Sequence, residues 1–459
     1  MWYHGFVWVS DRQMERPMKV RQRIVALILE ISLIMTGCGM RGGKSKSETN
    51  YISQDPVHFT GMCDAEAVIA YDIPKQLPNI LVNCVGYEKD GEKKILFRSA
   101  KATGQFWVVD TATGQPVYKG TVPSGRSGEQ TGESVSMADI SAVSEPGEYI
   151  ICNDGVGESY SFIVGENIRN KQLTEEMAAL QESLLEDMGN DTYKAGKFIR
   201  MAEQMIHLFA AYDFFPERFT DHMLEEYSGN GIPDLLDMAE NIAGWFLTLQ
   251  DKEITPDEQM AFAGVLAKFC QIYKEFDNSK ASAYGKTAAE LYKLARQETE
   301  EIATSIGFYA AVTLYEMQGN AKYRTDIKAY GDAALHLKEM DAFYLFGNVN
   351  YVSGKRSVEI ARCSRFMSEL MTVTEAGCVS CRRNEYKVCD PDGEQIIRNM
   401  SYLVIANYVL ESEEYHSILE NHYHYLCGCN PEAEVMRGAM DRMRAPFILF
   451  LCGLMDGES

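Results

Sequence analysis

The chain has 459 residues, enough for two or three domains that each bury a core. Its 66 acidic residues against 44 basic ones leave a net charge of -22, which argues against nucleic acid as a partner because the summed field repels a phosphate backbone. Neutral or cationic partners suit it better, and an apolar fraction of 46% is that of an ordinary globular protein.

In chain order, the first informative segment follows Met18. Lys19, Arg21 and Arg23 form a basic start to the apolar run from Ile24 to Cys38, which Glu30 interrupts. The run is too short for a membrane-spanning helix of about 20 residues and reads as a signal peptide. Met35-Thr36-Gly37-Cys38 resembles a bacterial lipobox, in which the Cys38 thiol takes a diacylglycerol. We expect residues 1–37 to be a signal peptide, with Met18 as the true start, and residues 38–77 to be a lipid-anchored linker containing the polar stretch Arg41 to Asn50. The expected location is the extracellular face of a bacterial membrane, anchored or secreted.

Residues 78–166 predict an all-β unit. Short apolar runs occur at Ile80–Val85, Lys94–Phe97, Phe106–Val109, Pro116–Val122, Glu148–Cys152 and Tyr160–Val164. Lys89-Asp90-Gly91, Ala102-Thr103-Gly104, Ala112-Thr113-Gly114 and Glu145-Pro146-Gly147 separate them, and Asn153-Asp154-Gly155 predicts a hairpin turn. A sandwich of roughly seven strands accounts for runs this short.

After Gly165 the apolar period lengthens to about 3.6 residues. About eleven helices are predicted between Leu173 and Leu451, including one at Val358–Thr372 and a last one at Ala433–Leu451. No strand-like segments of comparable length intervene, so residues 170–455 predict an all-α domain in which paired helices close into a toroid. The stretch Phe346-Gly347-Asn348-Val349-Asn350-Tyr351 reads as a loop suited to ligand contacts.

Twelve cysteines are many for such a chain. Cys378, Cys381 and Cys389 lie close together, with Cys363 upstream and Cys427-Gly428-Cys429 further on. Half of a zinc site, one or more disulfides, and unpaired small hydrophobes are all open readings.

A long motif narrows the choice of fold. Ser228-Gly229-Asn230-Gly231-Ile232-Pro233-Asp234-Leu235-Leu236-Asp237-Met238-Ala239-Glu240, followed by Trp245-Phe246-Leu247 and Gln250, closely resembles a family 9 cellulase motif. Glycines close its turn, Pro233 suits a first helical turn, and Asp234 brings negative charge to the helix start. Val82-Asn83-Cys84-Val85-Gly86-Tyr87 resembles the first strand of the immunoglobulin-like domain that often precedes these enzymes, with Cys84 where glutamine is usual. Tyr425-Leu426-Cys427-Gly428-Cys429-Asn430-Pro431 resembles the Gly-x-Asn-Pro element of family 9 glycoside hydrolases. The resemblance covers about residues 79 to 453 and implies an immunoglobulin-like β-sandwich followed by an (α/α)6 barrel whose members hydrolyse β-1,4-glucans with inversion.

Inversion needs two carboxyl groups about 6.5–9.5 Å apart, one protonating the leaving oxygen and one activating water. Matching Gly196-Lys197-Phe198-Ile199 to the family pattern puts Asp191-Thr192-Tyr193-Lys194 on its Asp-Ala-Gly-Asp motif, so Asp191 remains but the base position is Lys194. A lysine near its ordinary pKa of about 10.4 is protonated at neutral pH and takes no proton from water. Matching Ala445 puts Gly438 at the acid position; Glu434 and Asp441 lie nearby without the expected spacing. The resemblance therefore implies a divergent protein that binds β-linked glycan with little or no hydrolysis. Two alternatives stay open: an active hydrolase using displaced carboxylates (Asp191 with Glu434 or Asp441), and a non-catalytic structural or protein-binding module. Trp245, Phe343 and Tyr344 are the candidate aromatics for sugar contacts. No cofactor is implied, although calcium, bound by some family members, stays open.

Overall fold

The computed structural model describes residues 77–127, 134–189, 196–227, 229–248, 254–299, 301–334, 341–351, 393–410 and 413–456. Cys38, Asp191, Lys194, the predicted helix at Val358–Thr372 and Cys363, Cys378, Cys381 and Cys389 lie outside them.

Two sheets face each other in the N-terminal domain. One contains β1 (Ile80–Leu81), β3 (Lys94–Phe97), β7 (Ser134–Asp139) and β6 (Arg126–Ser127), in that order. The other runs β2 (Tyr87–Glu88), β10 (Phe162–Gly165), β8 (Gly147–Asn153), β4 (Gln105–Asp110), β5 (Pro116–Thr121), with β9 (Gly157–Glu158) on β8. All pairings are antiparallel except β2 with β10. Alternation puts Ile95, Phe97, Phe106, Val108, Ile151 and Phe162 between the sheets, where burial of apolar surface stabilises the pair. The turns form where the sequence signals them. Asp110 accepts backbone bonds from Ala112 and Thr113, and Asn153 accepts one from Gly155. Strand β7 was not predicted: Ser-Val-Ser-Met-Ala-Asp alternates, but with side chains too small and polar to stand out.

Only Glu166 and Asn167 separate β10 from α1 (Ile168–Gly189). Asn167 takes the left-handed conformation (φ 59°), which asparagine tolerates better than most residues. An inner ring follows, made of α2 (Lys197–Phe214), α4 (Pro256–Tyr273), α6 (Thr304–Gln318), α8 (Ala342–Tyr351), α9 (Gly393–Leu410) and α12 (Arg444–Asp456). Outside it lie α1, α3 (Asp234–Thr248), α5 (Asn278–Glu298), α7 (Lys322–Ala334) and α10 (Glu413–Leu426). Neighbours α2–α4–α6–α8 and α9–α12–α2 pack in sequence, and the outer helices are half exposed whereas α4, α6 and α12 are almost entirely buried. Clean starts fix the register of some helices: Thr255 and Glu258 form a reciprocal capping box on α4, and Asp277 accepts from Ser279 and Lys280 on α5.

Two expectations are corrected. Phe346–Tyr351 is no loop; it is the second half of α8, because Asp341 holds the Tyr344 N–H at its start and Gly347 lets the helix sit against Phe308. Turn-forming composition yields there to packing. The predicted helix Ala433–Leu451 is instead a turn, the short α11 (Arg437–Arg442) and α12, broken at Met443 (φ -118°, ψ 37°).

The two domains share a buried polar interface. Arg169 of α1 makes a two-pronged pair with Glu420 of α10 at 2.8 and 2.6 Å, both side chains being nearly inaccessible. Asn83 of the sandwich meets His424 Nδ1 at 3.1 Å, Tyr87 packs on the same imidazole, and Glu88 accepts from the Arg169 N–H. Burial pushes the Glu420 carboxyl up, but the charges of Arg169 and His424 and a bond from His416 more than offset it and hold the group at about 2. Burial lowers His424 to about 4. Both groups have folded values below their unfolded ones, so their contribution is complete above the unfolded values and is lost as pH falls through the folded ones. Stability is expected to decline from about pH 6.5 towards 4 through His424 and from about 4.5 towards 2 through Glu420. Arg169→Met, which strands a buried carboxylate, is expected to cost about 3–5 kcal/mol by denaturant titration at neutral pH; a loss under about 1 kcal/mol would mean the pair is not buried as described.

Candidate functional site

Helices α2, α4, α6 and α8 each follow an outer helix in the chain; the Ala303 N–H ahead of α6 donates to Asp257 in the first turn of α4, and the Ala445 N–H at the start of α12 donates to Gln204 of α2, so these amino ends share one face of the ring. Helix α9 joins them there, since Glu394 in its first turn is ion-paired with Arg442 just before α12. Among the described residues, the start of α2 and the junction of Arg442 with α12 lie at this face.

At the start of α2, Gly196 takes a left-handed turn (φ 76°) and delivers Lys197 into the structure, directly after the stretch containing Asp191 and Lys194. Lys197 is buried, donates to the Asp187 carbonyl and lies 5.9 Å from the centre of the Trp245 ring. Trp245 is half-buried and packs on Phe198 and Phe246, so its ring is shared between the core and a cation. Phe343 and Tyr344 are core residues, against Tyr309 and Phe308 respectively, and offer no platform to a sugar.

The other side of the face is a chain of charges. Gly438 is exposed on α11. Asp441 accepts from Arg444 at 2.7 Å, and Arg444 also donates to Glu176 of α1 at 2.7 Å, with Arg437 at 3.6 Å from the same carboxylate. Burial raises the Glu176 carboxyl and the two arginines oppose this. Glu434 is exposed on the turn before α11; Asn430 fixes its backbone, donating to the Glu434 carbonyl at 2.7 Å and accepting from its N–H at 3.3 Å. Asn430 is thus the structural pin of the Gly-x-Asn-Pro element, holding the Tyr425 carbonyl as well.

The long glycine motif is likewise a built turn. Asp221 accepts backbone bonds from Gly229, Asn230 and Gly231, and these hold its carboxyl below the usual range although partial burial works against them. Asp234 does more than start α3: its carboxylate reaches back to the Leu224 N–H at 2.5 Å.

One group was not anticipated. Glu203, two turns into α2, is raised to about 7 by burial and by the Asp341 charge, against the pull of Arg398 and Arg200. His207, one turn on, is lowered to about 4, chiefly by burial, and its Nδ1 meets the Glu203 carbonyl at 2.8 Å. A lone carboxylate inside the apolar run of α2 was the available signal. Among the described residues, no group of three or more His, Cys, Asp or Glu side chains is arranged to hold a metal ion.

Residues 75–158 match the family of the cellulase N-terminal ig-like domain. No curated protein matches the sequence significantly. Among solved structures, a metagenome-derived glycoside hydrolase family 9 endoglucanase is similar at 18% identity and a TM-score of 0.64, over 77% of this chain and 84% of that one. The GH9 protein of Bacteroides ovatus is similar at 14% identity and 0.63, over 82% and 98%. AaCel9A, solved in complex with cellobiose-like isofagomine, is similar at 16% and 0.61, over 77% and 83%. The architecture is therefore a β-sandwich followed by a helical region with the fold of family 9 enzymes. The chain therefore carries a domain of the cellulase N-terminal ig-like kind, and its helical region is similar in fold to family 9 endoglucanases.

Glu203 gives a test of this face. Its folded value is above its unfolded one, so ionisation costs stability as pH rises from about 4.5 through about 7. Glu203→Gln is expected to raise the thermal midpoint on the alkaline side of that window and to leave it nearly unchanged on the acid side. An equal shift on both sides would contradict the assignment.

Proposed function

We propose that this is a surface glycan-binding protein built on a glycosidase fold, with little or no hydrolysis of its own. The observation that carries the reading is the charge chain at the acid end. A side chain without a carboxyl, Gly438, stands at the position that the family resemblance gives to the acid, and the nearby Asp441 oxygen is already committed to Arg444. An oxygen accepting from a guanidinium is poorly placed to hand a proton to a departing sugar oxygen. At the base end, the sequence reading puts Lys194 where a proton acceptor is needed. The ligand class follows from the relatives, endoglucanases and a complex with a cellobiose-like inhibitor, and points to β-linked oligo- or polysaccharide. Cys38 is proposed to anchor the protein by a lipid at the outer face of the membrane.

Calorimetry with cello-oligosaccharides and a panel of soluble β-glucans and hemicelluloses is expected to give saturable binding to at least one, with no new reducing ends from acid to alkaline pH. Flat titrations across the panel would remove the binding claim. Reducing sugar lost on Asp191→Ala would replace it with hydrolysis by displaced carboxylates. Anchoring predicts incorporation of a fatty-acid label in a bacterial host, abolished by Cys38→Ala.

A second reading has one observation in its favour. Burial and the Asp341 charge raise the Glu203 carboxyl to about 7, and a carboxyl raised towards the working pH is what acid–base chemistry uses. Turnover that survives Asp191→Ala and disappears in Glu203→Gln would establish it.

A further inference from the structure

Three cysteines meet where the two domains touch. Cys84 follows β1 in the sandwich, and Cys427 and Cys429 follow α10. The Cys84 N–H donates to the Cys427 carbonyl at 2.7 Å, crossing from one domain to the other. Gly428 lies so close beneath that a Cβ placed on it would stand 2.7 Å from the Cys84 sulfur and 2.6 Å from the Val82 carbonyl oxygen. The Cys84 sulfur therefore rests against the backbone between the other two thiols.

The side chains then part company. Cys427 is fully buried in the helical core beside Tyr423. Cys429 packs instead with Leu81, Leu96 and Ala433 on the sandwich side, and the Cys84 sulfur lies 3.9 Å from the Ala433 carbonyl oxygen. Cys84 and Cys429 thus share Ala433 as a neighbour. All three are thiols, and Cys84 alone of them is partly exposed.

We propose that Cys84 and Cys429 are an oxidisable pair that closes to an interdomain disulfide by exchange with a low-molecular-weight disulfide. The Cys84 thiolate attacks the reagent's S–S bond, forming a mixed disulfide and releasing one reagent thiol. The Cys429 thiolate then attacks the Cys84 sulfur and releases the second. Two protein thiols lose two protons and two electrons in all, and the reagent is reduced to two thiols. Burial raises the Cys429 thiol well above its ordinary value, with the nearby Cys84 and Cys427 adding to the shift, so the second attack is the slow one. The bond would fasten the sandwich to the turn that leads to Gly438 and the Asp441–Arg444 pair, making the acid end of the site sensitive to thiol–disulfide poise.

The full chain, incubated natively with oxidised glutathione, alkylated under denaturing conditions and digested, is expected to yield a linked peptide pair containing Cys84 and Cys429. That pair, carrying an alkylated Cys427, should be lighter by two hydrogens than the same two peptides with only Cys427 alkylated, and absent after dithiothreitol. Oxidation is expected to raise the thermal midpoint of the wild type and of Cys427→Ala, and to leave that of Cys84→Ser unchanged. Should Cys84 remain alkylatable, carry glutathione alone, or link to Cys427, the proposal is overturned. Recovery of the linked peptide from Cys427→Ala upholds it even if Cys84→Ser fails to fold.

Discussion

The fit of the sandwich against the end of α10 is the constraint from which the geometry of the site follows. There the backbone of Val82–Cys84 comes within bonding distance of Cys427 and Gly428, an approach that only a residue without a side chain allows; Gly428 also holds a φ of 134°. The buried pair of Arg169 and Glu420 and the contact of Asn83 with His424 settle the orientation around that point. Such polar pairs add modest net stability because both partners give up water, but they penalise any other docking by leaving a charge buried alone. From this anchor the chain turns at Asn430 and runs through Glu434 and Gly438 to Asp441 and Arg444. The first domain thus determines where the junction of α11 and α12 in the second one lies.

On the proposed reading, fold and chemistry have separated in this molecule. The inner ring keeps its apolar layers and its glycine-lined turn, because packing tolerates many side chains of suitable size and shape. Moving protons around one sugar bond has no such latitude; it needs particular groups at a particular separation. On the described part of the acid end, arginines take up the carboxylates: Arg444 bridges Asp441 and Glu176, and Arg442 meets Glu394. Ion pairs of this kind hold the junction of α11 and α12 against α1 and α9.

How much of this was legible in the sequence depended on the range of the interaction. Turns and helix spans are local, so Ala112–Gly114, Asn153–Gly155 and most helix limits could be read from residue order. Strand β7 could not, because its identity comes from pairing with β3 and not from its own side chains. Helix α8 was hidden by glycine and asparagines whose turn tendency is overridden by Phe308 and by the Asp341 cap. The special state of Glu203 depends on Asp341 and Arg398, which come from two other helices, and the interface pairs join residues 251 and 341 positions apart. The family resemblance supplied the architecture and the expected places of catalytic groups; it could not show that Asp441 is engaged by Arg444.

The short passage through Glu166 and Asn167 has a consequence for biosynthesis. The sandwich leaves the ribosome first, yet the surface that Asn83 and Tyr87 dock against comes some 340 residues later, at His424. Until then Leu81 and Leu96 lack their partners Cys429 and Ala433, and a nascent chain holds an apolar patch beside a finished domain. Contacts that close so long a loop form slowly. Docking of the sandwich therefore waits for the turn after α10, where His424, Cys429 and Ala433 supply its partners.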